Sequence, residues 1–154
     1  MKHTLILSTL ILLFSSCQSS KQLSSLELQA FQRKEFATSK DIAFGSVMSV
    51  LQDLGYIVSS ADKDTGLISA ASPTKNVVFF GSHMQNTSVN AFVESFGPQR
   101  TAIRLNFVEN QEGSSGYGMT TKSNKPIIDP AVYQSAFEKI SEGIFIREKA
   151  LGQQ

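Results

Sequence analysis

The chain has a single cysteine, Cys17, which closely follows an apolar N-terminal segment. Residues 5–14 form an almost unbroken apolar run behind Lys2 and His3. A run of about ten residues matches the core of a signal peptide and is too short for the roughly twenty residues that span a bilayer. The 154-residue chain then has room for one domain, and without a second cysteine that domain can form no disulfide. Packing alone has to stabilise it.

The residues in front of Cys17 are suited to lipid attachment. The stretch Phe14-Ser15-Ser16-Cys17 resembles the lipobox of bacterial lipoproteins, although Phe14 replaces the usual leucine. Small side chains let an extended backbone enter a peptidase groove, and a thiol is nucleophilic enough to accept a diacylglyceryl group. We therefore predict a signal peptide over residues 1–16 and lipidation of Cys17. The alternatives are an ordinary secretory signal with an unrelated cysteine, or a buried free thiol.

The residue after Cys17 bears on which membrane holds the lipid. Gln18 stands where enteric bacteria place an acidic residue in lipoproteins that stay at the inner membrane. Its neutral side chain favours the inner leaflet of the outer membrane, with the domain facing the periplasm. Loss of Lys2 with the leader leaves 13 of the 14 basic residues against 13 acidic residues. This neutral balance is poorly suited to polyanions, so nucleic acid is excluded as a partner.

Two amphipathic helices are predicted from the spacing of apolar residues. The first covers residues 39–54, with Ser39 as its N-cap and Gly55 as a left-handed C-terminal cap. The second begins at Asp129-Pro130, a capping residue followed by proline at the first helical position, and ends near Leu151. Its apolar stripe consists of Tyr133, Ala136, Phe137, Ile140 and Ile144.

Strands are predicted where apolar and polar residues alternate. The first covers residues 32–37, and a turn at residues 62–66 joins two further strands. The clearest hairpin joins residues 89–94 to residues 103–108. The order β-α-β-β-β-β-α over residues 32–151 predicts an α+β two-layer sandwich, in which two helices pack on a mainly antiparallel sheet. Residues 17–31 are predicted to be the lipidated cysteine and a flexible tether.

Two segments have no clear pattern. Residues 75–87 contain Val77-Val78-Phe79-Phe80, and a strand, a short buried helix and a hydrophobic loop all remain open. This apolar run could contact lipid or a partner if exposed, but a place in the core is favoured because such runs are usually buried. Residues 109–128 are polar and rich in Gly and Ser, which predicts a long loop with a short strand near residues 117–121.

Catalytic chemistry has few candidates. His83 is the only histidine left after the leader is removed, and a zinc site would need several more ligands. A Ser-His-Asp arrangement through His83 is formally possible, but no Gly-x-Ser-x-Gly motif accompanies it. An exposed loop histidine is the preferred interpretation. We predict no catalytic residue, no metal and no cofactor.

Two short motifs fall short of known binding loops. Asp62-x-Asp64-x-Gly66 has its glycine one position too early for a calcium loop and has proline at the twelfth position, so it predicts a hairpin turn. The glycines of residues 113–118 have the wrong spacing for a phosphate-binding loop, and no helix follows directly. A solvated loop is the preferred interpretation there.

Leu51-Gln52-Asp53-Leu54-Gly55-Tyr56 and the closing stretch that starts at Asp129-Pro130-x-x-Tyr133 carry a family resemblance. Together they resemble a family of small, uncharacterised bacterial lipoproteins over most of residues 30–148. The fold that this implies is similar to the helix-grip domains of the lipoprotein subunit in the outer-membrane barrel-assembly machine. The resemblance brings no catalytic residues, and a shared fold carries little information on function.

Three functions are carried forward. The leading hypothesis is a non-catalytic module that is held at the membrane by lipid on Cys17 and binds an envelope protein of unknown identity. The second is a carrier or sensor of an apolar small molecule between the sheet and the C-terminal helix, lined by Phe137 and Ile140, although these residues would equally pack a dry core. The third is an envelope hydrolase with His83 as its base.

Overall fold

A computed structural model describes residues 23–78, 82–114 and 119–152. Their elements follow one another as α1 (Ser25–Gln32), β1 (Arg33–Phe36), α2 (Lys40–Asp53), β2 (Ile57–Asp62), β3 (Leu67–Ala71), β4 (Lys75–Val78), β5 (Ser82–Gly97), β6 (Arg100–Ser114), β7 (Thr120–Pro126) and α3 (Pro130–Leu151). The strands form one antiparallel sheet in the order β1-β6-β5-β3-β2, with β4 paired to β5 and β7 paired to β6. The predicted α+β class is confirmed.

Helix α2 begins and ends at the residues that the sequence indicates. The Ser39 hydroxyl accepts a hydrogen bond from the Ile42 amide, and the Asp41 side chain lies in the first turn. At the other end Gly55 adopts a φ of 83°, which a residue with a side chain rarely adopts. The Gly55 amide donates to the Gln52 carbonyl and the Tyr56 amide to the Leu51 carbonyl, both at 2.9 Å. This pair of bonds is a Schellman cap, which stops the helix and directs the chain into β2.

The hydrophobic core lies between α2, α3 and one face of the long hairpin formed by β5 and β6. Alternate residues of that hairpin point toward the helices and are buried, as predicted. We call this the inner face of the sheet and the opposite one the outer face. The inner-face core residues of the hairpin are Val89, Ala91, Val93, Ile103, Leu105 and Phe107.

Helix α3 supplies the other half of the core. The Asp129 carboxylate accepts from the Ala131 amide at 3.0 Å, and Pro130 occupies the first turn. Near the end of the helix, Glu148 accepts a 2.7 Å hydrogen bond from the buried Thr38 hydroxyl, which ties α3 to the connection between β1 and α2. The buried stripe is the predicted one: Tyr133, Ala136, Phe137, Ile140 and Ile144.

The hydroxyl of Tyr133 joins several elements. Tyr133 is fully buried, and its hydroxyl donates to the Ile127 carbonyl at 2.8 Å while it accepts from the Phe107 amide at 3.3 Å. The side chain of Gln32 donates to the same oxygen at 3.4 Å. Along β6, β1 pairs up to Arg104 and β7 pairs from residue 108 onward, so the Phe107 amide lies in the gap between them. Tyr133 occupies that gap.

The described parts of residues 75–87 and 109–128 are largely strands, namely β4 and β5 in the first segment and β6 and β7 in the second. The predicted long loop is therefore wrong at residues 109–114 and 120–126. The hairpin of β5 and β6 continues beyond the core to the pair Ser82 and Ser114, which lies seven residues, or about 23 Å, past Val89. We call this part, made of β4, residues 82–88, residues 108–114 and β7, the polar extension. None of its described side chains is buried. It escaped prediction because neither face has the apolar alternation that indicates a strand.

Helix α1 lies within the segment that was predicted to be tether. The Ser24 hydroxyl accepts from the Glu27 amide at 3.3 Å, and the Ser24 amide donates to the Glu27 carboxylate at 2.7 Å. This capping box lowers the pKa of the Glu27 carboxyl through the bonds from Ser24. At the other end of the helix, the Phe31 ring lies 5.0 Å from the Tyr133 ring. The folded part of the chain therefore includes Ser24 and α1, which belong to the segment that was predicted to be tether.

Removing the Tyr133 hydroxyl tests its role in the fold. We expect Tyr133→Phe to lower the free energy of unfolding by about 1–3 kcal/mol, because it leaves the buried Phe107 amide and Ile127 carbonyl without their shared partner. Urea denaturation followed by circular dichroism measures this change. Tyr56→Phe is the matched control. Tyr56 is half-buried, its hydroxyl has no hydrogen-bond partner among the described residues, and its change should stay within about 0.5 kcal/mol.

Candidate interaction site

Helices α2 and α3 meet closely because Gly143 has no side chain. A Cβ at position 143 would lie 3.1 Å from Cγ2 of Val50 and 3.6 Å from Cβ of Ser46. Between the helices, on the solvent side, lie two adjoining cavities of about 310 and 150 Å³. We call the pair the α2–α3 groove. Both cavities are lined by Val50, Asp53, Gly143 and Ile146.

The α2–α3 groove has an apolar centre and a charged border. Ile146 is 66 % exposed and Leu54 is 40 % exposed, although both are large apolar side chains. The charged side chains that line the groove are Asp53, Lys139, Glu142 and Arg147. An apolar centre within a polar rim is the usual arrangement of a protein–protein contact.

Arg147 forms one wall of the groove and holds the helices in register. Its guanidinium donates from Nη2 to the Gly45 carbonyl and to the Ser49 hydroxyl, both at 3.0 Å. It lies over Gly45, where a Cβ would come within 2.8 Å of the guanidinium carbon. No carboxylate in the described part of the chain pairs with Arg147. Its positive charge is therefore available to a molecule bound in the groove.

Ser46 lies beneath the groove at the helix crossing. Its side chain is 1 % exposed, and its hydroxyl has no hydrogen-bond partner among the residues that the structure describes. A buried hydroxyl in this state is destabilising because it has lost its water without gaining another partner. The helix crossing requires a small side chain at this position, because Ser46 faces Gly143 of α3.

Phe137 and Ile140, the residues expected either to line a cavity between the sheet and α3 or to pack a dry core, lie in the hydrophobic core. Phe137 is 4 % exposed and Ile140 is 1 % exposed, and both belong to the hydrophobic core. The Phe137 ring contacts the Phe36 ring at 6.3 Å between centroids. Phe137 also borders a surface cavity of about 340 Å³ beside α1 and β1.

The turn at residues 62–66 is a tight hairpin turn, as predicted. The Asp62 carboxylate accepts from the Asp64 amide at 2.9 Å and from the Thr65 amide at 3.3 Å. Hydrogen bonds from Thr65, and then from Asp64, lower the pKa of the Asp62 carboxyl. Gly66 has a φ of 83° and packs against β5, where a Cβ would collide with the Val93 carbonyl oxygen. The local backbone thus accounts for this motif.

The remaining candidates are only partly described. The backbone of His83 lies in β5 opposite Val77 and Gly113, so it is in a strand and not in the predicted loop. Gly113 and Ser114 belong to β6, which corrects the predicted loop there, while residues 115–118 lie outside the described ranges. Val77 and Val78 end β4, and Phe79 and Phe80 are outside the described residues. Cys17 also precedes the first described residue.

The outer face carries a charged cluster beside β1. Glu35 accepts from Arg100 and from Arg33, each at 3.0 Å. The two guanidinium groups lie 5.4 and 5.8 Å from the centroid of the Phe96 ring. Hydrogen bonds from Arg100 and then Arg33 hold the pKa of the Glu35 carboxyl below its usual value. The cluster ties β1 to β6 and leaves few free charges for a ligand.

The described residues contain neither a metal-binding cluster nor a membrane-spanning helix. Within the described ranges, no three His, Cys, Asp or Glu side chains are close enough to hold a metal ion. None of the helices α1 to α3 is both long and apolar enough to cross a membrane.

Comparison with protein-family models and with curated proteins found no match. The family resemblance through Leu51–Tyr56 remains a prediction.

The amino-acid sequence alone does not predict the α2–α3 groove, although two of the residues that line it are unusual for a helix. Ile146 is apolar but lies off the buried stripe of α3, and Gly143 lies inside the helix, where glycine is unfavourable. Each has an ordinary explanation alone, because single exposed apolar residues are common. Only the helix crossing brings Ile146, Gly143 and Leu54 together.

Replacing Ser46 tests the description of the helix crossing. We expect Ser46→Ala to raise the free energy of unfolding by roughly 0.5–1.5 kcal/mol, because it removes an unpartnered buried hydroxyl and improves helix propensity. Chemical denaturation measures the change. Ser141→Ala is the matched control, because the Ser141 hydroxyl donates to the Phe137 carbonyl at 2.9 Å. In that variant the loss of this hydrogen bond opposes the gain in helix propensity. Equal changes in both variants would contradict the description of Ser46.

Proposed function

We propose that this protein is a lipid-anchored module of the cell envelope that faces the periplasm and acts by binding another protein, without catalysis. The observation that carries the proposal is the α2–α3 groove, with its exposed Ile146 and Leu54 inside a border of charges. The inner side of the same two helices is already packed against the sheet. An apolar centre on the solvent side is therefore explained by a partner better than by the fold of the chain itself.

The lipid anchor supports the proposal through geometry. Between Cys17 and Ser25 lie eight residue steps, which extend to at most about 28 Å. This length keeps the domain close to the membrane. Burial of each acyl CH₂ contributes about 0.8 kcal/mol, so two or three chains hold the protein without help from its surface. Under this proposal the groove is free for a partner.

The kind of partner follows from the chemistry of the groove. A channel between two helices suits an amphipathic helix or an extended peptide with one apolar side chain at its centre. Arg147 at one wall and Asp53 at another can fix the orientation of a partner that carries both signs of charge. Because Ile146 is central and Leu54 adjoins it, truncation or charging of Ile146 is expected to have the largest effect.

Replacing Cys17 tests the anchor. We expect Cys17→Ser to give a chain without acyl groups that no longer sediments with membranes, because the thiol is the proposed site of acylation. Metabolic labelling with a fatty acid and membrane fractionation measure the two changes. The circular dichroism spectrum should equal that of the wild type, since residue 17 precedes the described domain. Normal acylation of the variant would overturn the anchor but not the groove.

Charging the groove tests the partner. We expect Ile146→Asp to weaken capture of a cross-linked envelope protein at least tenfold, because it places a carboxylate at the apolar centre. Quantitative mass spectrometry of affinity-purified, cross-linked membranes measures the loss. Phe145→Asp is the matched control, because Phe145 is similarly exposed on the adjacent position of α3 and does not line the groove. Equal capture by both variants would count against the groove.

A further inference from the structure

Asparagine has an unusual distribution in this protein. The sequence contains six asparagines, and every one lies in a strand. The register places five of them on the outer face: Asn90 pairs with Asn106, Asn86 with Asn110, and Asn110 with Asn124. The sixth is Asn76, whose backbone pairs with that of Met84 in β5. None of these five asparagines is on the inner face, and no asparagine lies on a described helix.

This distribution runs against local preference. Asparagine is depleted in strands and favoured in turns, where its side chain bonds to the nearby backbone. None of the six lies in a turn, and the turns at residues 62–66 and 97–100 use Asp, Gly and Pro instead. A solvated strand face with no other role is more readily built from Thr, Lys or Glu. Residues that contradict local preference tend to mark functional sites.

Cross-strand hydrogen bonds hold several of these amides in place. The Asn110 amide nitrogen donates to the Asn86 side-chain oxygen at 2.9 Å and to the Ser88 hydroxyl at 3.1 Å. The Ser69 hydroxyl donates to the Asn90 side-chain oxygen at 2.9 Å. The Asn86 and Asn90 nitrogens and the Asn110 oxygen have no other partner among the described residues. The outer face thus presents fixed donors and acceptors.

A cleft of about 250 Å³ lies in the same part of the face. The ion pair between Lys122 and Glu112, at 3.2 Å, borders the cleft and adds no net charge. Met84, which is 47 % exposed, adds an apolar surface. The other outer-face residues that line the cleft are Asn86, Asn110 and Asn124.

We propose that the outer face of the sheet, from the polar extension to the neighbouring row at Asn90 and Asn106, binds a neutral oligosaccharide. Fixed amides without net charge match the hydroxyls of a sugar, which both donate and accept, and Met84 can cover a sugar's apolar side. The rows at Asn86 and at Asn90 are four residues, or about 13 Å, apart, which suits a short chain of sugars more than a single one. An added peptide strand would pair with a sheet edge and leave this face unused. The site goes beyond the protein-binding groove and is separate from it.

The proposal is tested with the full chain purified in a detergent that contains no sugar. Chitotetraose and maltotetraose serve as neutral probes, and calorimetry together with the side-chain amide signals in NMR spectra reports binding. We expect one of the probes to bind and to shift the asparagine side-chain signals. In the double variant Asn86→Thr/Asn110→Thr we expect at least tenfold weaker binding. Ser123→Thr, on the inner face of β7 and outside the lining of the cleft, should bind as the wild type does.

The outcomes separate this site from the groove. Ile146→Asp should bind the sugar normally, since the groove lies on the helical layer. Threonine favours strands, so the double variant should be at least as stable as the wild type. No binding of either probe, equal binding by the double variant, or a large loss of stability in that variant would overturn the proposal. Loss of a protein partner in the double variant, with no sugar bound by the wild type, would likewise reject it.

Discussion

The hydroxyl of Tyr133 is the contact on which the arrangement of the other elements depends. Strand β6 changes partners from β1 to β7 along its length, and the Phe107 amide would be left unpaired at the change. The Tyr133 hydroxyl accepts from this amide and also donates to the Ile127 carbonyl. Ile127 lies in the connection between β7 and α3, the helix that carries Tyr133. Its ring contacts Phe31 of α1 and Phe107 of β6. One buried side chain thus positions the N-terminal helix, the sheet and α3 together.

The parts of the fold that sequence could predict are those with local causes. Ser39, Gly55 and Asp129 are capping residues whose effect reaches only one turn, so both long helices were predicted within a residue or two. The buried alternation around Val89 and Ile103 is equally local. The polar extension could not be predicted, because its strands are specified by pairing with distant strands and not by an apolar face. Helix α1 depends on Phe31 reaching Tyr133, which is 102 residues away.

The candidate surfaces show the same division. Cys17 was found in the sequence because lipid attachment is read from a contiguous motif. The α2–α3 groove depends on which residues of two helices cross at Gly143, and the asparagine face depends on strand register. Neither the helix crossing nor the strand register can be predicted from the spacing of residues within one segment. The two surfaces also differ in chemistry, since one has an apolar centre with free charge at Arg147 and the other is polar and without net charge.

The polar extension makes β5 and β6 unequal along their own length. Near Val89 and Phe107 the strands are covered by helices, whereas near Ser82 and Ser114 their described neighbours are other strands. Local unfolding of the polar extension therefore exposes little apolar surface and requires far less free energy than unfolding of the core. Amide hydrogen exchange would vary from slow to fast within a single strand. A ligand on the extension would slow exchange there and leave the global unfolding of the core largely unchanged, as long as the extension opens on its own.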